Sequence, residues 1–374
     1  MMAAHHHQFY LEVVLDFSIS FSLTLQQRES AKLLVIKLVR HYRPGQTVQK
    51  VYKPAALIHA ILERVASLDT FLNFFLSYIY QDLCSTEGPV MDFDITYALS
   101  YFDDWALWEP EQINNLNKAI ENFAEFVVDN FLLPRVSTTR SYLYKQSNSQ
   151  SVIPVRATSV KTLQSTPTSL SSLQSSTPTG IKQRISVLRQ GCLIRDRHRC
   201  VISRKFDRAT ARNRFTENGE FCADDDGNLL KDEPSDQFQY LEVTYILPHS
   251  VTTVSCEETE LSDSKKFVLR ILDMFNPGIG DLIHGPKLDG PMNALTLIFD
   301  YHRLFGEFRI YFELTGIPYQ YRIDSTEQGL FLRDPLFPVT RTLPLSPASS
   351  IDPPSPRLLE VHRAIAIISG IWRK

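Results

Sequence analysis

Cysteine is scarce in this chain of 374 residues, and its five cysteines include no CxxC pair. Closely spaced cysteine pairs are the usual mark of a structural zinc site, so the sequence does not predict a zinc knuckle. Few and scattered thiols are typical of proteins in a reducing compartment. Cys192 and Cys200 are too far apart for a zinc motif, and we expect both thiols to be buried.

Long apolar runs are also missing. No stretch reaches the roughly 18 consecutive apolar residues that a membrane-spanning helix needs. The apolar segment at residues 1–25 is interrupted by Glu12 and Asp16, and it lacks the basic region and the small-residue cleavage site of a signal peptide. We therefore expect an intracellular protein, nuclear or cytoplasmic, with no membrane partner.

Neither sign of charge dominates: 39 Lys and Arg against 42 Asp and Glu give a net charge of -3. This balance gives no overall indication of a nucleic-acid partner, but the charge is uneven along the chain. Residues 181–214 hold eleven Lys or Arg against two Asp, whereas residues 220–236 are acidic. Two interpretations stay open. The basic stretch contacts phosphates, or it is a solvated face that pairs with the acidic loop Asp224–Asp226.

Composition and periodicity predict four parts of the chain. They are an N-terminal helical region at 1–134, a disordered Ser/Thr/Pro-rich linker at 135–180, a mixed α+β domain at 181–343, and a Pro/Ser segment with a C-terminal helix at 344–374. In the third part, β-branched and aromatic content predicts a strand at 241–247 and paired strands at 309–314 and 319–323.

Helical spacing is clearest in the N-terminal region. Pro54 is suited to the first position of a helix that we expect to run through Leu68, and Pro110 to that of a longer helix. The apolar residues that recur at helical spacing in the longer helix are Ile113, Leu116, Ile120, Phe123 and Val127. We interpret such stripes as a helical core; the alternative is a groove that binds a protein partner.

The most informative segment is Asn293–Phe305, in which Asn293 stands nine positions before His302, on a loop that leads into a short helix. Upstream, Leu241–Leu247 reads as a strand and continues into Pro248 and His249. Together with Arg195–Ser203, these segments resemble the HNH endonuclease domain found in many uncharacterised fungal proteins.

The resemblance implies a ββα-metal domain, HNH or treble-clef-like, preceded by the helical region. Such a domain clamps one divalent cation (Mg²⁺, Mn²⁺ or Zn²⁺) that stabilises charge on the phosphate. In the family, a first-strand His is the general base, a loop Asn braces it, and a helix His binds the metal. By position, Tyr245 stands at the base, Asn293 is the bracing residue and His302 is the metal ligand, with His249 and Asp300 as further candidate ligands.

The identity of residue 245 determines whether the resemblance implies an active nuclease. A phenol has an ordinary pKa of about 10, so it is a poor base at neutral pH. We expect Tyr245, Asn293 and His302 to lie together, and a change of Tyr245 to His to raise activity. Strand alternation places Glu242 on the other face of the strand from Tyr245, which makes it a less convenient ligand.

The function predicted from the resemblance is metal-dependent phosphodiester cleavage of nucleic acid, DNA rather than RNA, by an HNH-type endonuclease impaired at Tyr245. The alternative is a non-catalytic module that binds nucleic acid or protein on the same scaffold. A third interpretation makes the N-terminal helices the functional part, as an assembly domain. The sequence leaves open whether the chain is an active hydrolase.

Overall fold

The computed structural model describes residues 22–43, 53–84, 94–128, 181–247, 263–283, 285–327, 329, 331–346 and 350–372. The predicted linker and His249 lie outside the described residues. The chain divides into two compact units. The first contains residues 1–134, 249–284 and 360–374, and the second contains residues 135–248 and 285–359.

The described residues combine helices with three small sheets. The helices are α1 Leu25–His41, α2 Pro54–Leu62, α3 Leu68–Cys84, α4 Ile95–Tyr101, α5 Pro110–Val127, α6 Ile181–Arg195, α7 Arg208–Asn218, α8 Asp263–Phe275, α9 Phe299–Gly306 and α10 Pro356–Trp372. The strands are β1 Phe206–Asp207, β2 Phe238–Gln239, β3 Leu241–Tyr245, β4 Ala294–Ile298, β5 Ile310–Leu314, β6 Gln320–Ser325 and β7 Val339–Thr342. Short 3₁₀ turns connect several of them, at Gly219–Phe221, Leu230–Asp232, Gly285–Asp289 and Pro291–Asn293 among others.

The predicted N-terminal helical region is confirmed. Local chemistry explains where its helices begin: Thr24 forms a capping box with Gln27 at the start of α1, and prolines open α2 and α5. In α5, the predicted apolar stripe is buried from Leu116 to Val127. This burial is what stabilises an amphipathic helix in water.

The helix α2 ends earlier than the sequence predicts, at Leu62 instead of Leu68. The reason is a tertiary hydrogen bond. The backbone N–H groups of Ala66 and Ser67 both donate, over 2.9 Å, to the carbonyl of Met274 near the end of α8. Because the chain leaves the helix to make these bonds, apolar periodicity alone could not locate the end.

In the second unit, β3 and β4 form an antiparallel pair in which Leu241 is opposite Ile298 and Tyr245 is opposite Ala294. The helix α9 begins directly after β4, without an intervening loop. The unit therefore contains two antiparallel strands followed by a helix. The strands β5, β6 and β7 form a separate antiparallel sheet, and β1 and β2 form a short parallel pair.

Both faces of β3 are covered. Val243 and Tyr245 pack on one face, against a cluster of Leu188 and Cys192 from α6 and Ala294 from β4. Because successive side chains point to opposite faces, Glu242 and Thr244 lie on the other face, towards α9. The neighbouring β4 is a nearly continuous buried apolar run, as expected for a strand covered on both sides.

A buried ion pair fixes the turn that leads into β4. The Arg195 guanidinium is fully buried and donates to both carboxylate oxygens of Asp196, over 2.8 Å each. It also donates to the carbonyls of Pro291 at 2.7 Å and Ala294 at 2.9 Å. One charged side chain thereby holds the end of α6 against the turn Pro291–Asn293.

In the described part of the chain, no helix has both the length and the apolar character needed to cross a membrane.

Arg195→Met is expected to lower the free energy of unfolding by about 3–5 kcal/mol, because it leaves Asp196 as an uncompensated buried charge. Urea unfolding followed by circular dichroism measures this. The double variant Arg195→Met with Asp196→Leu should recover part of the loss, since no buried charge then remains. A single variant as stable as the wild type would contradict the assigned role.

Candidate functional site

Asn293 is completely buried, and its side-chain amide is committed to backbone groups. Its oxygen accepts from the N–H of Leu247 at 2.9 Å, and its nitrogen donates to the carbonyls of Leu247 at 2.9 Å and Leu288 at 3.1 Å. The backbone carbonyl of Asn293 also accepts from the N–H of Ile246. Asn293 thus fastens the chain where it leaves β3.

Tyr245, at the end of β3, is half-buried and donates its phenolic O–H to Asp289 at 3.0 Å. Arg184 Nε lies 3.6 Å from the second oxygen of the same carboxylate. Burial, followed by the charge of Asp289 and the hydrogen bond to it, raises the pKa of Tyr245 well above its ordinary value. The phenol is therefore held in its neutral form, as a hydrogen-bond donor.

His302, on α9, is paired with Glu242 of β3 through a hydrogen bond between its Nδ1 and the Glu242 carboxylate. Both side chains are partly exposed, at 38% for His302 and 43% for Glu242. A carboxylate bonded to one ring nitrogen sets the ring's orientation and leaves the other nitrogen for a different partner.

The structure brings His302 to Glu242, not to Tyr245. Tyr245 and Glu242 lie on opposite faces of β3, so the three residues expected at one site are divided. Asn293 adjoins Tyr245 through the β3–β4 pairing, and His302 is bonded to Glu242 on the other face. Alternation along the strand was predicted correctly. Alternation does not tell which face α9 covers, because that depends on the direct β4–α9 connection.

The described residues offer few donors for a divalent cation. None of them forms a group of three or more His, Cys, Asp or Glu side chains placed to hold a metal ion. Asp300, a candidate ligand, is exposed, and the candidate His249 lies outside the described residues. Glu242 and His302 supply two donors, fewer than the three protein ligands of a zinc site, whereas Mg²⁺ is held by as few as one or two carboxylates together with waters and substrate phosphates.

The basic stretch pairs with the acidic loop Asp224–Asp226, as one of the two interpretations of the sequence has it. The ion pairs join Arg197 to Asp226, His198 and Arg214 to Asp225, and Arg199 to Asp224 and Glu233. Three arginines of the stretch are thereby neutralised. The sequence alone could not identify the partners of these arginines, because α7 and the turn Gly219–Phe221 separate Arg197 and Arg199 from the acidic loop.

Asp224 is the buried anchor of this loop. Burial favours its neutral acid, but hydrogen bonds from Arg199, Asn228 and the backbone lower the pKa of Asp224 to about 2. The carboxylate accepts from the N–H groups of Asp226 and Asn228 at 2.9 and 2.8 Å, and from Arg199 at 2.8 Å. These bonds fix the loop conformation.

Asp224→Asn is expected to lower the free energy of unfolding at pH 7 by about 2 kcal/mol, since each unit of pKa shift is worth about 1.4 kcal/mol. The pKa of Asp224 is depressed in the folded state, so its contribution is present above its ordinary pKa and is lost as the pH falls towards about 2.

Urea unfolding at pH 7 and pH 3 checks this. The gap between wild type and Asp224→Asn should shrink by about half at pH 3. Asp226→Asn is the matched control, because the Arg197–Asp226 pair is two-fifths exposed and surface pairs contribute little. A gap that is the same at both pH values would contradict the assigned ionisation.

A search of curated proteins and a search of solved structures each gave no match to the chain. Residues 200–313 match a protein-family model described as HNH endonuclease. This range runs from Cys200 through β3 and α9 to Glu313, and it contains Tyr245, Asn293 and His302. Residues 200–313 of the chain are therefore similar to HNH endonuclease domains.

Proposed function

We propose that this chain carries a degenerate HNH domain that binds nucleic acid and has lost efficient phosphodiester cleavage. The observation that carries the proposal is the state of Tyr245. Its phenol donates a hydrogen bond to Asp289, and its pKa is raised by burial and by the carboxylate. The proposal takes its nucleic-acid partner from the family match at residues 200–313.

Cleavage of a phosphodiester needs a group that takes the proton from the attacking water. A general base must be deprotonated at the operating pH, and Tyr245 is held protonated. Moving its proton away would place a phenolate beside the Asp289 carboxylate, and two like charges at hydrogen-bond distance repel. Tyr245 is therefore a structural donor that ties β3 to the turn Gly285–Asp289.

Cleavage also needs positive charge placed close to the phosphate and the leaving oxygen, because negative charge develops on both. A divalent cation supplies that charge in the family, but the described residues offer no three-donor set for one. Asn293 has its oxygen and both hydrogens in hydrogen bonds to backbone groups. Its contribution here is to the fold around β3, and its amide is not available to a phosphate or a cation.

The pairing of His302 with Glu242 supports a second candidate, a weak hydrolase. A His oriented by a carboxylate is the usual arrangement for a general base, and both side chains are partly exposed. On this alternative, His302 accepts the proton and Glu242 stabilises the resulting imidazolium. Loss of activity in Glu242→Gln would separate it from the leading proposal.

The geometry changes the expected effect of restoring a His at position 245. An imidazole there would meet Asp289, on the face of β3 opposite His302. We expect the unmodified protein and Tyr245→His both to nick a supercoiled plasmid at background level with Mg²⁺ or Mn²⁺. A restored base would otherwise contribute about 10²–10⁴-fold.

Tyr245→Phe and His302→Ala are the controls. Metal-dependent nicking that is lost in Tyr245→Phe would show that the phenol serves as the base. Nicking that survives in Tyr245→Phe but is lost in His302→Ala and Glu242→Gln would favour the weak hydrolase. A large gain in Tyr245→His would show that one site does unite the two faces. In parallel, the full-length protein should bind a fluorescent oligonucleotide without shortening it.

A further inference from the structure

The arginines of the basic stretch differ in whether a carboxylate neutralises them. Arg197, Arg199 and Arg214 have carboxylate partners in that loop. Arg212, on the exposed side of α7, has no ion pair among the described residues. Its guanidinium instead donates to the phenolic oxygen of Tyr240 at 2.6 Å. A cation without a carboxylate keeps its charge available to an anionic partner.

Two exposed aromatic residues lie near Arg212. Its guanidinium carbon lies 5.7 Å from the centre of the Tyr240 ring, within the range of a cation–π interaction. Tyr240 is 53% exposed, and Phe215, three residues after Arg212 on α7, is 57% exposed. Residues three apart on a helix are neighbours on its surface. We call Arg212, Phe215 and Tyr240 the Arg–aromatic strip.

The surrounding structure holds this strip in place. None of the residues of α7 is buried, so the helix lies on the surface and is fastened at its N-terminal end. Asp207 caps it through the N–H of Thr210, and Arg208 donates to the carbonyl of Phe238, two residues before Tyr240. The strip is therefore a fixed surface of exposed rings beside an unneutralised guanidinium.

A second pair of a cation and an exposed ring lies in the segment of the chain that connects β1 to β2. The ammonium nitrogen of Lys231 is 5.4 Å from the centre of the Phe221 ring, and that ring is 79% exposed. No ion pair of Lys231 occurs among the described residues. Single exposed rings are ordinary on protein surfaces. Here two exposed rings lie within residues 212–240, and each has beside it a cation with no ion pair among the described residues. Exposed rings with neighbouring cations are the kind of surface on which the bases of a single strand stack.

We propose that the Arg–aromatic strip is a binding site for single-stranded nucleic acid. This inference rests on the proposed function and names the form of nucleic acid and the surface. Arg212 contacts a backbone phosphate, and Tyr240 and Phe215 stack on neighbouring bases. Only unpaired strands offer base faces to exposed rings, because the bases of a duplex are already stacked on one another. Phosphate contact and stacking are common to DNA and RNA, so the shared chemistry is that of an unpaired strand.

The test uses the full-length protein and fluorescence anisotropy with labelled oligo-dT, oligo-rU and a duplex of equal length. We expect both single strands to bind more tightly than the duplex. Tyr240→Ala and Phe215→Ala should each weaken binding by at least about fivefold, as expected for the loss of one stacked base. Arg212→Gln should weaken it and reduce the slope of log affinity against log salt by about one.

Matched variants separate the specific roles from general effects. Tyr240→Phe keeps the ring and should keep most of the affinity. Arg322→Gln removes the same charge from β6, where Glu313 and Asp324 already neutralise it, and should have little effect. Because these positions are exposed, we expect every variant to fold, and its thermal unfolding curve checks this.

Oligonucleotide binding that is unchanged in all three strip variants would overturn this inference and leave the proposed function standing. The same holds if the duplex binds as tightly as the single strands. If no oligonucleotide binds to the wild type at low salt, both the inference and the proposed nucleic-acid function are wrong. Binding of only one of oligo-dT and oligo-rU, with the expected loss in the variants, supports the inference and identifies the sugar.

Discussion

The second unit depends on one buried charge. Arg195 carries its guanidinium into the interior, where Asp196 neutralises it and the carbonyls of Pro291 and Ala294 take up further hydrogens. A buried ion pair is tolerated only when its remaining hydrogen-bonding groups are satisfied, and here the backbone of the β4 approach satisfies them. The turn at Pro291–Asn293 is thus fixed before β4 begins. Because Asn293 ends that turn, the same ion pair determines where its amide meets the Leu247 backbone.

The division of chemistry across β3 follows from this arrangement. With β4 fixed beside β3 and α9 following β4 without a loop, α9 can cover one face of the strands only. That face carries Glu242, so His302 meets a carboxylate there. The opposite face carries Tyr245, which is covered by α6 and by the Asp289 turn. A strand shields its two faces from each other, so a base on one and a metal ligand on the other do not act on the same phosphate.

Much of the fold could be predicted from the sequence, because periodic patterns report local structure. The apolar stripe of α5, the strands near 241–245 and 310–325 and the C-terminal helix all follow from spacing and residue type. The long-range partners could not be predicted. From the sequence, Arg195 is expected to be a surface cation of the basic stretch, yet it is completely buried. Asp289 sits in a 3₁₀ turn without any periodic signal. The family resemblance placed Tyr245, Asn293 and His302 in order, but order along the chain does not fix the face on which each side chain lies.

Asn293 shows that a motif residue can be constrained by the fold itself. Its amide makes three hydrogen bonds to buried backbone groups, and removal of a buried partner costs about 1–3 kcal/mol for each group left unsatisfied. A loss of that size is a large part of the stability of a small domain. The position is therefore constrained by folding whether or not a phosphate is ever cleaved. The base position has no such constraint, because a Tyr that donates to Asp289 fills the space and satisfies its own hydroxyl. In this domain Asn293 thus reports the fold.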